Sequence, residues 1–464
     1  MLKTRVGKVW KVTLASSLLF GLQSLNAANW LNLQGLQPSE VAPKGVKVPY
    51  RSMKPKLWGF IQANYKKDSG DVLVNPAGKK VTPFSMLNPD LKDQSGFDVF
   101  RARLALRGMA DKENKINYFF MTEFGNNGIN NLAGHREDAT YFTDASVTVN
   151  YVPQAKLRVG MFKTPSSEEG LQAVFVSPYV EFTNFSFQQL LERKVTNVGA
   201  AQKGKAAGGA SNIHYTGTPD GPIGAFRDVG AQLFSTFDVG NDWELSYAYM
   251  FGNGQGVSLS SADQPTHYAY LSAEKLYGKG RGYFTESMKY FVWGMSGDRR
   301  VISTNPTTGI SEELKTKRKR YGAGMTYYQD GIRFEAEYMK AQGMIYTGAK
   351  DVDTDPLKES WDMQFAFDDS NEADGGYVNI EYDILPKEWE VFARYDILRR
   401  LTNDSKAQRD FKTLTLGTSY RFKGATRIDF NYLIRDAKAP SNPTAQRVLD
   451  NMGNRFAIQL TAAF

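Results

Sequence analysis

Arg101, Arg103 and Arg107 share one parity of a run whose other parity is apolar, with Phe100, Ala102, Leu104 and Leu106. On an extended chain, positions i and i+2 lie on one face about 7 Å apart. The three guanidinium groups therefore form a row. A planar guanidinium donates two parallel hydrogen bonds to a phosphate and stays charged at any working pH. The chemistry on offer is anion binding rather than bond making. Lys156 and Arg158 repeat the pattern against Leu157, Val159 and Met161, with Lys163 at the end of that run.

A second reading stays open for the same residues. On a membrane strand, a charge facing lipid costs about 2–4 kcal/mol, so arginines turn inward whatever they do there. They would then neutralise inward acids. Arg320, Arg333, Arg394, Arg421, Arg427, Arg435 and Arg455 fall on the inner parity too, and so do Glu123, Asp144, Glu335, Glu337, Glu381, Asp383, Glu390 and Asp396. No uninterrupted basic ladder results, which favours a mild anion preference over strict selectivity.

Other constellations carry less. His135, His214 and His267 are far apart, and neither a nucleophile–base pair nor a paired-carboxylate motif is visible. An outer-membrane enzyme, such as a barrel phospholipase, is thus an alternative without a catalytic constellation. Asp351, Asp353 and Asp355 have the odd spacing of a calcium loop, but Pro356 stands where an EF-hand needs glycine. Gly252–Gly256 has no helix after it and is no dinucleotide fingerprint. Lys315–Arg320 (KTKRKR), at the outer edge of a strand, points to lipopolysaccharide phosphates or solvent rather than nucleic acid. No cofactor and no metal are expected, and the chain has no cysteine for a disulfide or thiolate site.

The elements that must position these side chains are strands. Asn454–Phe464 alternates Phe456, Ile458, Leu460, Ala462 and Phe464 with polar or small residues and stops at a terminal aromatic. Period-two runs recur sixteen times, near 56–65, 97–108, 115–124, 140–151, 155–162, 227–238, 242–251 and 266–276, then 283–294, 318–328, 331–341, 375–384, 387–398, 410–422, 425–435 and 454–464. Most have the nine to eleven or so residues of a tilted membrane strand. Short connectors such as 239–242 and 329–331 alternate with long ones at 66–96, 125–139, 163–226, 252–265, 295–317, 342–374 and 436–452. Periplasmic turns and outside loops sort in that way. The fold class expected is all-β, a transmembrane antiparallel β-barrel of about sixteen strands over 56–464, with polar lumen and apolar lipid face. The 163–226 connector is far beyond ordinary loop length; its aromatic part, Tyr179–Leu191, is expected against the inner wall and Gln202–Ser211 mobile.

Residues 1–28 read as a signal peptide: Lys3, Arg5, Lys8 and Lys11 precede an apolar run, then small residues near Ala27. Residues 29–55, with four prolines, read as a periplasmic extension. Without the leader, 53 basic side chains face 49 acidic ones, so net charge gives no argument for nucleic acid. Aromatics at 13% suit interfacial girdles.

Phe100–Gly108 (FRARLALRG), Leu157–Pro165 (LRVGMFKTP) and Phe226–Phe234 (FRDVGAQLF) resemble motifs of the phosphate-selective porin O and P family, and Leu191–Arg193 sits where that family places a Glu-Arg pair. The resemblance implies a water-filled homotrimeric outer-membrane channel for small hydrophilic solutes and anions such as phosphate, surrounded by lipid and lipopolysaccharide. It adds Arg193 and Arg227 to the pore-lining set of Arg101, Arg103, Arg107, Lys156, Arg158 and Lys163. The alternatives are a non-selective general porin, the barrel enzyme above, or a structural barrel that sheathes a partner.

Overall fold

The computed structural model describes residues 30–31, 55–70, 73–74, 80–81, 95–113, 115–127, 140–152, 154–192, 194–199, 202–203, 213–217, 226–258, 265–279, 282–305, 307–349, 363–423, 426–450 and 452–464. Sixteen strands form a ring. The first eight are β1 (Lys56–Asp68), β2 (Ser95–Met109), β3 (Ile116–Glu123), β4 (Tyr141–Val149), β5 (Lys156–Lys163), β6 (Arg227–Asp238), β7 (Trp243–Gly252) and β8 (Thr266–Leu276). The second eight are β9 (Ser287–Thr304), β10 (Ser311–Gln329), β11 (Ile332–Gly343), β12 (Glu372–Leu385), β13 (Trp389–Arg400), β14 (Arg409–Lys423), β15 (Thr426–Lys438) and β16 (Arg455–Ala463). Each is antiparallel to the next, and β1 pairs with both β2 and β16, so the ring has no edge. Closure is what a sheet needs in hydrocarbon, where an unpaired backbone group costs several kcal/mol.

The alternation of the sequence is reproduced as two faces. Leu57, Leu104, Val147, Leu233, Leu271, Val292, Ile380 and Leu460 are exposed on the outside, as a lipid-facing belt requires. Two runs differ from expectation. β9 and β10 extend to Thr304 and from Ser311, so the connector expected over 295–317 shrinks to 305–310. The ladder continues because charges on the projecting hairpin pair across it, Lys315 with Asp298 at 2.8 Å and Arg300 with Glu313 at 3.2 Å.

A second correction concerns the lumen, which is not uniformly polar. Phe234, Met250, Tyr268, Tyr270, Phe291, Trp293 and Met339 face inward from β6–β11 and form one apolar cluster with Phe185 and Leu190 of the β5–β6 connector. These inner faces pack against a loop instead of water, so burial there favours aromatic and methionine side chains. Trp30 and Leu31 are buried in the same cluster; the rest of 1–54, including the expected leader and extension, lies outside the described residues.

At the long-loop end, Gln202–Lys203, Ile213–Gly217, Ile345–Ala349 and Met363–Ala366 make a separate four-stranded sheet. Gln202–Lys203, part of the segment expected to be loose, therefore pairs with Ile213–His214.

The ring closes tightly at Gly59. Its N–H donates to the Phe464 carbonyl and the Phe464 N–H donates to the Gly59 carbonyl, each at 2.9 Å. A Cβ on Gly59 would stand 2.5 Å from the Arg103 carbonyl oxygen and 2.7 Å from the Phe464 ring. Gly59→Val should therefore destabilise the barrel by about 1–3 kcal/mol through overpacking. Loss of heat-modifiable migration at a lower temperature than wild type is the expected readout; an unchanged transition would show that the seam tolerates the methyls.

Candidate functional site: the inner wall and the third outside loop

The inner face of β2–β6 carries Arg101, Arg103, Arg107, Lys156, Arg158, Lys163 and Arg227 against Glu123, Asp144 and Asp228. Two arginines are committed to carboxylates: Arg103 Nε lies 2.6 Å from Glu123 Oε2, and Arg227 Nε lies 3.0 Å from Asp144 Oδ2. Lys163 donates to the carbonyls of Leu171 and Gln172 at 3.1 and 2.7 Å, which fastens the root of the loop. Lys156 is buried with its ammonium 5.9 Å from the Phe234 ring. Arg107 is half-buried nearer the short-turn end. Arg193 lies outside the described residues.

Arg101 and Arg158 differ from the paired arginines. Arg101 donates to Gln62 Oε1 at 2.9 Å and lies against the rings of Phe100 and Phe182. Arg158 lies 4.4 Å from the Phe234 ring centroid and 5.4 Å from that of Phe162, and its Nε reaches Thr148 Oγ1 at 3.3 Å. Its Nη2 is buried without a hydrogen-bond partner. Gln232 and Thr148 stand directly opposite Arg158 on the two neighbouring strands. Both amide atoms of Gln232, and the hydroxyl of Ser146 one inward position from Thr148, also lack partners. Buried polar groups are normally paired, so this stretch of wall holds unspent donors. Sequence reading found Arg158 by parity but missed Gln232 and Ser146, because only the cross-strand register brings them together.

The β5–β6 connector crosses to the far wall. Lys66 and Arg455 grip Glu181 at 2.9 and 2.6 Å. Arg427 donates to the carbonyls of Val176 and Ser177, and Asn431 Nδ2 to that of Pro178 at 3.1 Å. Arg394 reaches Glu169 at 3.0 Å, while Asp396 accepts from the backbone N–H and side-chain amide of Asn184 at 2.8 and 2.7 Å. On the side of β9 and β10, Lys289 pairs with Glu168 and Arg318 with Glu192. Arg318 belongs to the basic run expected to meet lipopolysaccharide phosphates or solvent, within which Arg320 alone is placed on the inner parity. Strand alternation sends it and Arg320 inward, where both donate to the Gln189 carbonyl at 2.9 and 3.1 Å.

Other inner charges pair directly across the wall, and two acids share a hydroxyl instead. Arg333 pairs with Glu381 at 3.1 Å and Arg421 with Glu390 at 2.7 Å. The Tyr377 hydroxyl lies between Glu335 and Glu337. The glycine run after β7 is structural, since Gly254 N–H and Tyr268 hydroxyl donate to Asp228 Oδ2 at 2.6 and 2.9 Å. Gly254 and Gly256 adopt φ of 68° and 65°, which favours glycine. Asp351, Asp353 and Asp355 lie outside the described residues; among those described, no acidic or histidine cluster could hold a metal.

A closed barrel with an apolar belt, a charged inner wall and its third outside loop tied across the lumen is an outer-membrane barrel of the porin class, in the bacterial outer membrane. The model of the phosphate-selective porin O and P family matches residues 81–186, which include FRARLALRG and LRVGMFKTP but not the later two motifs. No curated protein matches the chain. Solved structures similar to it include an anion-selective porin from Comamonas acidovorans, at 14% identity and TM-score 0.48, covering 89% of this chain and 99% of that one. OmpF of Salmonella typhi in complex with daunomycin is 12% identical, with TM-score 0.49 and 90% and 100% covered. OmpT of Vibrio cholerae in its trimer form is 10% identical, with TM-score 0.45 and 89% and 99% covered.

Burial pushes the Glu181 carboxyl up, but Arg455 and Lys66 outweigh it and hold it well below the usual carboxylate range. A depressed carboxylate contributes fully above its unfolded value, about 4.3 for Glu, and loses its contribution as pH falls through the lower folded value. This anchor should thus persist from about pH 7 to about pH 4.5. Single-channel recordings should show a baseline that this pH range leaves flat in wild type, and a raised or noisier conductance in Glu181→Gln. Identical recordings from both would place the restraint of the loop elsewhere.

Proposed function

We propose that this protein conducts small hydrophilic solutes passively across the outer membrane, with a mild preference for anions such as phosphate. The observation that carries the reading is the excess of basic over acidic side chains on the inner face of β2–β6, including an Arg158 edge, a Gln232 amide and a Ser146 hydroxyl with unspent donors. Like-signed charges on a confined wall focus the field and raise local anion concentration. Arg103 and Arg227 serve as partners of Glu123 and Asp144, so Arg101 and Arg158 are the residues on which selectivity rests. Channel function suits the family match and the fold better than catalysis does. A homotrimer, which the family resemblance implies, is checked by cross-linking in detergent.

The closely filled interior favours one second reading, a barrel closed at rest: Arg101, Arg103, Arg158 and Arg227 are each at most 6% exposed. Planar bilayers separate the two, since a structural barrel gives no conductance steps.

Under a salt gradient, Arg101→Ala with Arg158→Ala should lower the anion-to-cation permeability ratio several-fold at low salt. The effect should largely vanish near 1 M, where the screening length falls to about 3 Å. Unchanged reversal potentials at low salt would sink the assignment. Arg103→Ala should behave differently, costing about 3–5 kcal/mol because it strands the buried Glu123; thermal melting of the purified barrel is the check.

A further inference from the structure

Half of the basic run faces away from the lumen. Lys315, Lys317 and Lys319 take the outer parity of β10, while Thr316, Arg318 and Arg320 are buried. Below them the same parity continues as Tyr321, Ala323, Met325 and Tyr327. Lys319 therefore comes one outward position above Tyr321, the aromatic that marks the top of the apolar belt on this strand. β11 repeats the order: Lys340 follows Tyr338 on the outside and stands directly opposite Tyr321. Tyr321 and Tyr338 are 43% and 50% exposed, as girdle aromatics at headgroup height are.

Three ammonium groups meet there. Lys317 and Lys319 are about 7 Å apart along the strand, and Lys340 is the diagonal neighbour of Lys319 at about 7–8 Å. Of the acids around them, Asp298, Glu313, Asp374 and Asp369 already have other partners, while Glu372 stands diagonal to Lys340 on β12. Asp298 is bound to Lys315 at 2.8 Å, and Glu313 to Arg300 at 3.2 Å. Asp374, opposite Lys340, accepts from both Nε and Nη2 of Arg399 at 2.7 and 2.9 Å. Asp369 accepts from the Thr316 hydroxyl at 2.8 Å and from the Lys317 backbone N–H at 2.9 Å, which sets one carboxylate within the electrostatic reach of Lys317 and Lys319. Lys317, Lys319 and Lys340 make no ion pair among the described residues.

We propose that Lys317, Lys319 and Lys340, with Tyr321 beneath them, bind the phosphate groups of a phosphorylated glycolipid of the lipid A class in the outer leaflet. The stripe faces lipid rather than the lumen. It sits at the long-loop end, which is the outside end, and at the height where a headgroup phosphate meets the top of the acyl chains. Basic side chains at a membrane surface favour anionic lipid, and three around one phosphate act together. The inference rests on the outer-membrane placement and not on conduction.

The test uses the purified full-length protein in detergent, titrated with diphosphoryl lipid A and with the same lipid dephosphorylated, read by native mass spectrometry. Wild type should retain the diphosphoryl form at least tenfold more tightly. Lys317→Ser/Lys319→Ser/Lys340→Ser should lose that margin while keeping wild-type heat-modifiable migration, and Lys319→Ser alone should lose part of it. Lys279→Ser, an exposed position at the short-turn end, should change nothing. Equal binding of both lipids, or undiminished binding by the triple variant, would overturn the proposal. Displacement of the lipid by millimolar inorganic phosphate, with the same lysine dependence, would assign the stripe to free phosphate and overturn the lipid source.

Discussion

The ladder between the first and last strands is the constraint on which everything else depends. A sheet in hydrocarbon has no water to satisfy its edge, so fifteen correctly paired strands would still present two rows of unpaired backbone groups. The β1–β16 register, with Phe60 opposite Ala463 and Asp68 opposite Arg455, removes both rows at once. Once the ring is closed, the period of two fixes which side chains meet lipid and which meet the interior, and no local rearrangement can exchange them.

That inside–outside sorting creates a second problem, the fate of inward charge. The structure solves it differently around the circumference. From β9 to β16, arginines and lysines are engaged with loop carbonyls and carboxylates, as Arg318, Arg394, Arg427 and Arg455 show. From β2 to β6 the balance is basic and only partly neutralised. The same residue type therefore serves as a fastener on one arc and, in the function proposed above, as a source of field on the other.

The strands were legible because lipid on one side imposes alternation that no loop chemistry can imitate. Boundaries failed where that pressure stops: β9 and β10 run on beyond the belt because Asp298, Arg300, Glu313 and Lys315 pair across the hairpin. Inward parity was also legible, and Arg101, Arg103 and Arg158 face the interior as alternation requires; Arg227, which only the family resemblance supplied, sits at the start of β6 off the parity of Gln232 and Phe234 and is buried there against Asp144. Two kinds of information were not. Cross-strand register, which puts Gln232 and Thr148 beside Arg158, depends on every turn between them. The aromatic content of the inner face of β6–β11 reflects a loop folding onto it, and a run with apolar residues on both parities, such as Tyr268–Leu271, cannot announce that from sequence. KTKRKR shows the cost of reading a charge run as one patch, since alternation splits it between two environments.

The third outside loop is attached to the wall on several sides of the ring, through Lys66, Lys289, Arg318, Arg394 and Arg455. Mechanically it is a set of spokes across a hoop. A hoop of paired strands resists opening but flattens easily, because sheets bend more readily than they stretch. Spokes of opposite charge, shielded from bulk water, hold its cross-section to one outline. The width of the channel is then a property of the whole girth, shared among distant strands, and a change of shape forced on the barrel from the surrounding bilayer would reach the innermost residues without any movement of the chain along the membrane normal.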